Sequence, residues 1–245
     1  MMSMSSKKRL QATDRRQIIL QGALKVFARK GFAGATTREI AEAAGVSEAL
    51  LYRHFASKEM IYRELASLIG SNGERFKQVL TAVEPGPYGF IRAFYFLGRF
   101  ILIGGPGTPK DDSIDRLMGY SLLEDGSFAK AFLERLFYPI VPYLEKCLGT
   151  LTPEDRDVST PSGSFECILL HHLMGMVAIF LLPSEPVMLE TDPWILLERV
   201  LTFGLRGVGF SQAALTQYLD FGRLDREFLN LSSHEDHNED PRRRS

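Results

Sequence analysis

Between Thr36 and Ser57 the chain reads TTREIAEAAGVSEALLYRHFAS, and this stretch leaves little freedom in how it folds. Thr36 and Glu39 have the spacing of a capping box, in which each side chain satisfies a backbone N–H at a helix start. A helix is therefore expected from Thr37 to about Ala44, ended by Gly45. Ser47 caps the next helix, which runs to about His54, and Ser57 caps another with Lys58 and Glu59 in its first turn. Two short helices joined by Ala44-Gly45-Val46 make a helix-turn-helix. Ile40, Ala41, Val46, Leu51 and Phe55 are spaced to pack on a preceding helix, and the small Ala41 and Ala44 let the pair approach closely.

That preceding helix is predicted from Asp14, as N-cap, to Lys30, with Ile19, Ala23, Val26 and Phe27 on one face. Gly31 suits the C′ position and Phe32 the apolar contact after it. Three helices alone make a small core, so this head needs the rest of the chain. The rest also reads as helix: 58–81 as one long element leading out of the head, then 87–104, 112–123, 127–148, 163–182, 192–209 and 211–230. Pro139 and Pro142 should kink the 127–148 helix, and Asp192-Pro193 is an N-cap followed by Pro at N1. Residues 149–163 read as a loop. No run has strand periodicity and no segment repeats. The fold class is all-α: an N-terminal three-helix helix-turn-helix DNA-binding domain and a C-terminal helical ligand-binding and dimerisation domain. The expected boundaries are a disordered basic arm at 1–12, the helix-turn-helix domain at 13–60, the helical domain at 61–231 and a disordered polar tail at 232–245.

The net charge of −1 hides an asymmetry. Residues 1–63 hold twelve Lys and Arg against five Asp and Glu; the remainder holds seventeen against twenty-five. A basic head on an acidic body points to an anionic partner for the head alone. Cys147 and Cys167 lack metal-site spacing and read as buried thiols, and the polar N-terminus shows no signal peptide, which together place the chain in the cytoplasm. The apolar runs 88–105 and 165–182 are short for a membrane span and carry Arg92, Arg99, Glu166, His171 and His172. No Gly-rich phosphate loop, paired-carboxylate pattern or nucleophile motif suggests an enzyme, and no cofactor is implied.

The outward residues of the helix-turn-helix suit DNA. Ser47, Glu48, Ala49 and Leu50 lie at the N-terminal end of the second helix, the end that leads into a major groove. Tyr52, His54 and Lys58 follow along the flank, where a hydroxyl, an imidazole and an ammonium can donate to phosphates. Thr37 and Arg38 can reach the backbone or a base edge.

The segment ALKVFARKGFAGATTREIAEAAGVSEALLYRHFASKEMIYRE, residues 23–64, resembles the tetracycline-repressor (TetR) family of bacterial transcription regulators. Gly31-Phe32, Thr37-x-x-Ile40-Ala41, Ala44-Gly45-Val46-Ser47, Leu51-Tyr52-x-His54-Phe55 and Lys58-Glu59 fall in the family's register. The resemblance implies a homodimer, a palindromic operator in double-stranded DNA, and a variable C-terminal domain that binds a small inducer. It implies that Tyr52, His54 and Lys58 hold phosphates with Thr37 and Arg38 assisting, and that 163–182 and 192–209 build the dimer interface. Ala49 stands where the family commonly has Gly, and Leu50 where a small or hydroxylated residue is frequent, so which bases are read does not carry over.

Gly175, Ala178, Gly204 and Gly207 are expected to let backbones pack closely at that interface. The 88–103 helix puts Phe90, Phe94, Leu97 and Ile101 on one face and Arg92, Phe96, Arg99 and Ile103 on the other. Such a helix is core or the wall of a pocket. In the pocket reading Phe90, Phe94 and Phe96, with Tyr120, Phe137, Tyr143, His171 and Met174, line a cavity for an apolar or planar ligand of unknown identity. His171-His172 does not form a metal site, because neighbours on a helix diverge by about 100° and no further ligand stands at i+3 or i+4. The expected function is a ligand-released, dimeric DNA-binding repressor with no membrane partner; the alternative is a helical DNA-binding architectural protein that senses nothing.

Overall fold

In the computed structural model, residues 4–71, 73–157 and 163–233 are described, and they are helical throughout with no strand among them. The chain divides into two compact units: Met1–Glu74 with Asp112–Tyr138, and Arg75–Asp111 with Pro139–Ser245.

The first unit contains α1 (Met4–Gly34), α2 (Thr37–Ala43), α3 (Glu48–His54), α4 (Lys58–Ser71), the start of α5 (Gly73–Leu80), α7 (Ser113–Leu123) and α8 (Ser127–Leu136). Every cap expected around the helix-turn-helix is present. Thr36 and Glu39 form the reciprocal capping box, and the Ser47 hydroxyl accepts from Leu50 N at 3.2 Å. Gly45 turns the chain at φ 64°. Ile19, Ala23, Val26, Phe27, Ile40, Ala41, Leu51 and Phe55 form the core as their spacing predicts, while Val46 is only partly buried against it. Leu117 of α7 and Phe128 of α8 complete that core. The head is therefore larger than residues 13–60, as the small core of three helices requires.

Two boundaries differ from expectation. Helix α1 begins at Met4, not at Asp14, so residues 4–12 are helical rather than a disordered arm. The Lys, Arg, Leu, Gln and Ala of that stretch are good helix formers. The expected helix 58–81 is described as α4 to Ser71 and α5 from Gly73 to Leu80, with Asn72 outside the described residues. A Cβ on Gly73 would lie 2.6 Å from the Arg135 carbonyl oxygen, so only glycine allows this approach. The 211–230 segment is two helices, α12 (Gln212–Tyr218) and α13 (Phe221–Ser233). Residues 232–233 of the expected tail end α13, and 234–245 lie outside the described residues. The prolines act as predicted: 127–148 is broken into α8, a 3-10 turn at Tyr138–Ile140 and α9 (Val141–Gly149).

The second unit is built on α6 (Pro87–Leu102), surrounded by α9, α10 (Ser164–Phe180), α11 (Pro193–Gly207), α12 and α13. Every residue from Gly89 to Arg99 is buried, so α6 has no solvent face. The loop after α9 is fastened to the end of α11 by an isolated antiparallel bridge between Arg156 and Phe210. Gly204 admits the Leu170 side chain between α10 and α11, and Ala178 is fully buried in the same protomer. These two small residues thus serve packing within one chain, whereas a Cβ at Gly175 or Gly207 meets nothing within 4 Å.

Gly22, in mid-α1, marks the closest approach to the turn: a Cβ there would sit 2.8 Å from Ala44 N. Helix propensity favours Ala by about 1 kcal/mol, but overpacking against backbone costs about 1–3 kcal/mol. Gly22→Ala is therefore expected to lower Tm. Gly119→Ala on α7, whose Cβ meets nothing within 4 Å, should raise it. Thermal denaturation of both variants checks the contact, and equal increases would refute it.

Candidate nucleic-acid interface

Helix α3 is amphipathic in the manner a reading helix needs. Leu51 and, just past the helix, Phe55 are buried against α1, while Ser47, Glu48, Ala49, Tyr52 and Arg53 are exposed and Leu50 and His54 half-buried. Arg38 is exposed in the first turn of α2. The turn between the helices is fixed by Val46 N donating to Ala41 O at 2.9 Å and Gly45 N to Glu42 O at 3.0 Å. The structure links three of the predicted residues directly: Thr37 Oγ1 donates to Glu48 Oε1 at 2.7 Å and lies 3.2 Å from Tyr52 OH. Glu48 thus places its charge on the Thr37 hydroxyl at the rim of the face.

Lys58 departs most from its predicted place. Its ammonium donates to the carbonyls of Phe32 at 2.7 Å and Ala35 at 2.8 Å, and lies 4.4 Å from the centre of the Phe32 ring. It fastens the start of α4 to the segment between α1 and α2, with one N–H left over for an anion. An ammonium three residues past a recognition helix reads as a phosphate donor from sequence; the unsatisfied carbonyls that claim it are 26 and 23 residues away.

Three further residues that carry no motif shape the face. The Arg16 guanidinium donates to the His54 carbonyl at 2.6 Å, pairs with Glu64 and lies 4.2 Å from the Phe55 ring centre. A cation at the C-terminal carbonyls of α3 also complements the helix dipole. The available signal is periodicity, since Arg16 shares an α1 face with Leu20, Ala23 and Phe27. Glu124, at the end of α7, accepts from Phe32 N at 3.3 Å and Ala33 N at 3.1 Å. Lys30 pairs with Glu39 beside the α2 capping box. Nothing local in the sequence marks either pairing.

The residues predicted to line a ligand pocket are divided between the two units. Tyr120 is part of the first unit, where its hydroxyl donates to the Arg29 carbonyl at 2.9 Å, and Phe137 ends α8 in that unit. The other six belong to the second unit. Phe90, Phe94 and Phe96 are fully buried; Phe90 packs on Phe94 at 4.9 Å and Phe210 at 5.3 Å, and Phe96 on Phe228 at 5.2 Å. Tyr143 OH donates to Val83 O at 3.0 Å, and Met174 has no exposure. Burial drives the His171 pKa down to about 3, with His172 adding to the effect, so its imidazole is neutral at physiological pH. Among the described residues no three His, Cys, Asp or Glu side chains are grouped to hold a metal, and no helix is long and apolar enough to cross a membrane.

A steep helix pair with one face buried on α1 and the other exposed defines a helix-turn-helix protein, and comparison with known proteins makes the class specific. Residues 19–65 match the family model for bacterial regulatory proteins of the tetR family. The HTH-type transcriptional repressor AcnR of Corynebacterium glutamicum is 44 % identical over 54 residues, 22 % of this chain and 29 % of its own length. The HTH-type transcriptional repressor KstR2 of Mycolicibacterium smegmatis is 39 % identical over 77 residues, 31 % of this chain and 38 % of its own length. The matched segment is well under half the length of these relatives. A bacterial regulatory protein in the tetR family from Rhodococcus RHA1 shares the fold across 81 % of this chain and 98 % of its own, with a TM-score of 0.57 at 20 % identity. Residues 19–65 are thus similar to the N-terminal domain of the tetR family of bacterial regulatory proteins, and the likeness is carried by that segment.

The capping box gives a pH test. Glu39 accepts from Lys30 and from the Thr36 hydroxyl and backbone N–H, which hold its pKa down to about 2 from an ordinary 4.5. A depressed carboxylate contributes stability that is present above its unfolded value and lost as pH falls through its folded one. Side-chain NMR titration of Glu39 should therefore give a midpoint near 2, and Glu39→Gln should remove that part of the acid sensitivity between about pH 4.5 and 2. A midpoint near 4.5 would show that the box does not persist in solution.

Proposed function

We propose that this chain is a homodimeric DNA-binding transcriptional regulator, a repressor, that holds a palindromic operator in double-stranded DNA and leaves it when a small ligand binds. The observation that carries the reading is the exposed face of α3, with Ala49 and Tyr52 standing out from a side fixed by Leu51 and Phe55. In this role Ala49 and Leu50 offer apolar contact to a thymine methyl, and Ser47 and Arg38 donate to base edges or phosphates. Tyr52, Arg53 and His54 follow the phosphates along the flank. Thr37 orients Glu48 and Tyr52, and Lys58 mainly positions the segment before α2, adding its remaining N–H to a phosphate.

Two-fold operators pair with two-fold proteins. Support for a dimer comes from an apolar stripe on α10, with Phe165 64 % exposed and Leu169, Met176 and Phe180 also exposed, and from Ile195 and Phe203 on the adjacent α11. A contiguous exposed apolar surface of this kind on a soluble fold is an interface. A second reading, DNA binding without ligand sensing, draws on the complete burial of Phe90, Phe94 and Phe96, which makes that side of α6 packed core.

Two measurements test the proposal. Fluorescence anisotropy on a palindrome selected from random duplexes should show log-affinity falling with log-salt at about 0.9 per neutralised phosphate. Arg38→Ala should reduce that slope by about one without changing Tm; an unchanged slope removes Arg38 from the phosphate set. In light scattering the wild type should be a dimer at micromolar concentration and Phe203→Glu a monomer. A monomeric wild type would overturn the dimer.

A further inference from the structure

Two cations are buried in the second unit. Arg92 and Arg99 of α6 are 6 % and 7 % exposed. Arg92 Nε donates to Glu227 Oε2 at 3.1 Å and its Nη1 to the Val79 carbonyl at 2.9 Å, with the guanidinium 4.2 Å from the Phe96 ring centre. Arg99 Nε donates to Asp225 Oδ1 at 3.3 Å and Nη1 to the Gly104 carbonyl at 3.1 Å, between the rings of Trp194 and Phe228. Tyr88 and Tyr95 donate their hydroxyls to the same two carboxylates at 2.6 and 3.1 Å.

Both carboxylates come from α13, the last described helix. That helix fully buries only Leu224 and Phe228. The Asp225 and Glu227 side chains are 30 % and 32 % exposed, whereas the arginine side chains they meet are 9 % and 7 % exposed. The cations are thus built into the unit and the anions reach them from the solvent side. An arginine cannot shed its charge, and a buried one stripped of its anion is strongly unfavourable. Anything that takes the place of α13 must therefore bring carboxylates of its own. Arg92 and Arg99 are seven residues apart, about 10.5 Å along a helix axis, so one anionic group would leave the other arginine bare.

We propose that α13 is an internal ligand, a strap over α6 that occupies a binding site for a small α,ω-dicarboxylate. Its two carboxylates pair with Arg92 and Arg99, and its apolar body replaces Phe228 on Phe96 and Phe100. The site deepens the ligand-responsive reading above and rests on it for its regulatory role. A ligand that competes with a tethered strap binds with an apparent affinity reduced by the fraction of molecules whose strap is open. Loosening the strap should strengthen binding.

The probe is decanedioate, with decane-1,10-diol and decanoate as controls. Trp194 is the only tryptophan and stacks on Arg99, so its emission reports the site. Decanedioate should change that emission saturably, at least tenfold more tightly than either control. The strap variant Asp225→Asn/Glu227→Gln should bind it at least tenfold more tightly than the wild type. Hydrogen exchange on the wild-type chain provides a readout that needs no variant to fold: decanedioate should accelerate exchange in 221–233 and slow it in 87–102. Equal binding of diol and diacid, or slowed exchange in 221–233, would overturn the proposal. None of these readouts uses DNA, so failure of the regulator reading leaves them decisive. Release of operator by decanedioate then tests the link between the two.

Discussion

The peptide groups around Gly31, where α1 leaves helical geometry, are held by charged side chains, and the DNA face depends on how they are held. Gly31 takes a left-handed backbone at φ 69°, which ends the regular part of α1 and turns the chain away from it. Glu124 accepts from the N–H groups of Phe32 and Ala33, and Lys58 donates to the carbonyls of Phe32 and Ala35. Hydrogen bonds with one charged member are roughly twice as strong as neutral ones, and here both members come from helices that also share the core of the unit. The next residue, Thr36, is the N-cap of α2. The direction in which α2 leaves is therefore set by a carboxylate and an ammonium, and α3 inherits it through the Ala41–Val46 hydrogen bond. The Phe27 and Phe32 rings, 6.1 Å apart and nearly parallel, close the same corner from the apolar side.

What could be read from sequence divides along the range of the interactions. Caps are local, and every one expected between Thr36 and Ser57 is in place, including the reciprocal Thr36–Glu39 pair. Helical periodicity is nearly as local, so the head's core residues were legible as a set. The carbonyl partners of Lys58 were not legible because they lie on a segment more than twenty residues away. Glu124 had no local signal and Arg16 only its place on the inner face of α1, since their hydrogen bonds span more than 90 and 38 residues. Helix α1 was started late because polar sequence was equated with absence of structure. The same holds for Tyr120 as for Lys58: its aromatic character gives no sign of the Arg29 carbonyl that its hydroxyl meets.

The second unit is instructive in another way. The 88–103 helix shows two apolar faces in sequence, one of them interrupted by Arg92 and Arg99, and such arginines would ordinarily mark a solvent side. They are buried because α13 carries Asp225, Glu227 and Phe228 at the spacing that covers them. Replacing a buried ion pair with apolar groups is often neutral or stabilising. Retention of two such pairs at one helix contact is thus poorly explained by stability alone. A contact that must be exchangeable explains it better, because charge gives the exchange its chemical selectivity.

Arg99 connects that contact to the rest of the chain. The same guanidinium that meets Asp225 also donates to the carbonyl of Gly104, the second residue after α6. Gly104 has φ 120°, and a Cβ there would lie 2.6 Å from Lys110 N, so this turn exists in one tight form. Coupling of this contact to a second site requires an element with two states that both sites bias. The strap supplies such an element, since the anion at Arg99 belongs either to α13 or to a bound ligand. The Gly104 carbonyl competes for the same guanidinium, so the identity of that anion bears on the turn directly. Allosteric free energies are typically about 1–3 kcal/mol, the scale of one or two hydrogen bonds to a charged group, so an exchange of the anion at Arg99 falls in that range without any rearrangement of the core.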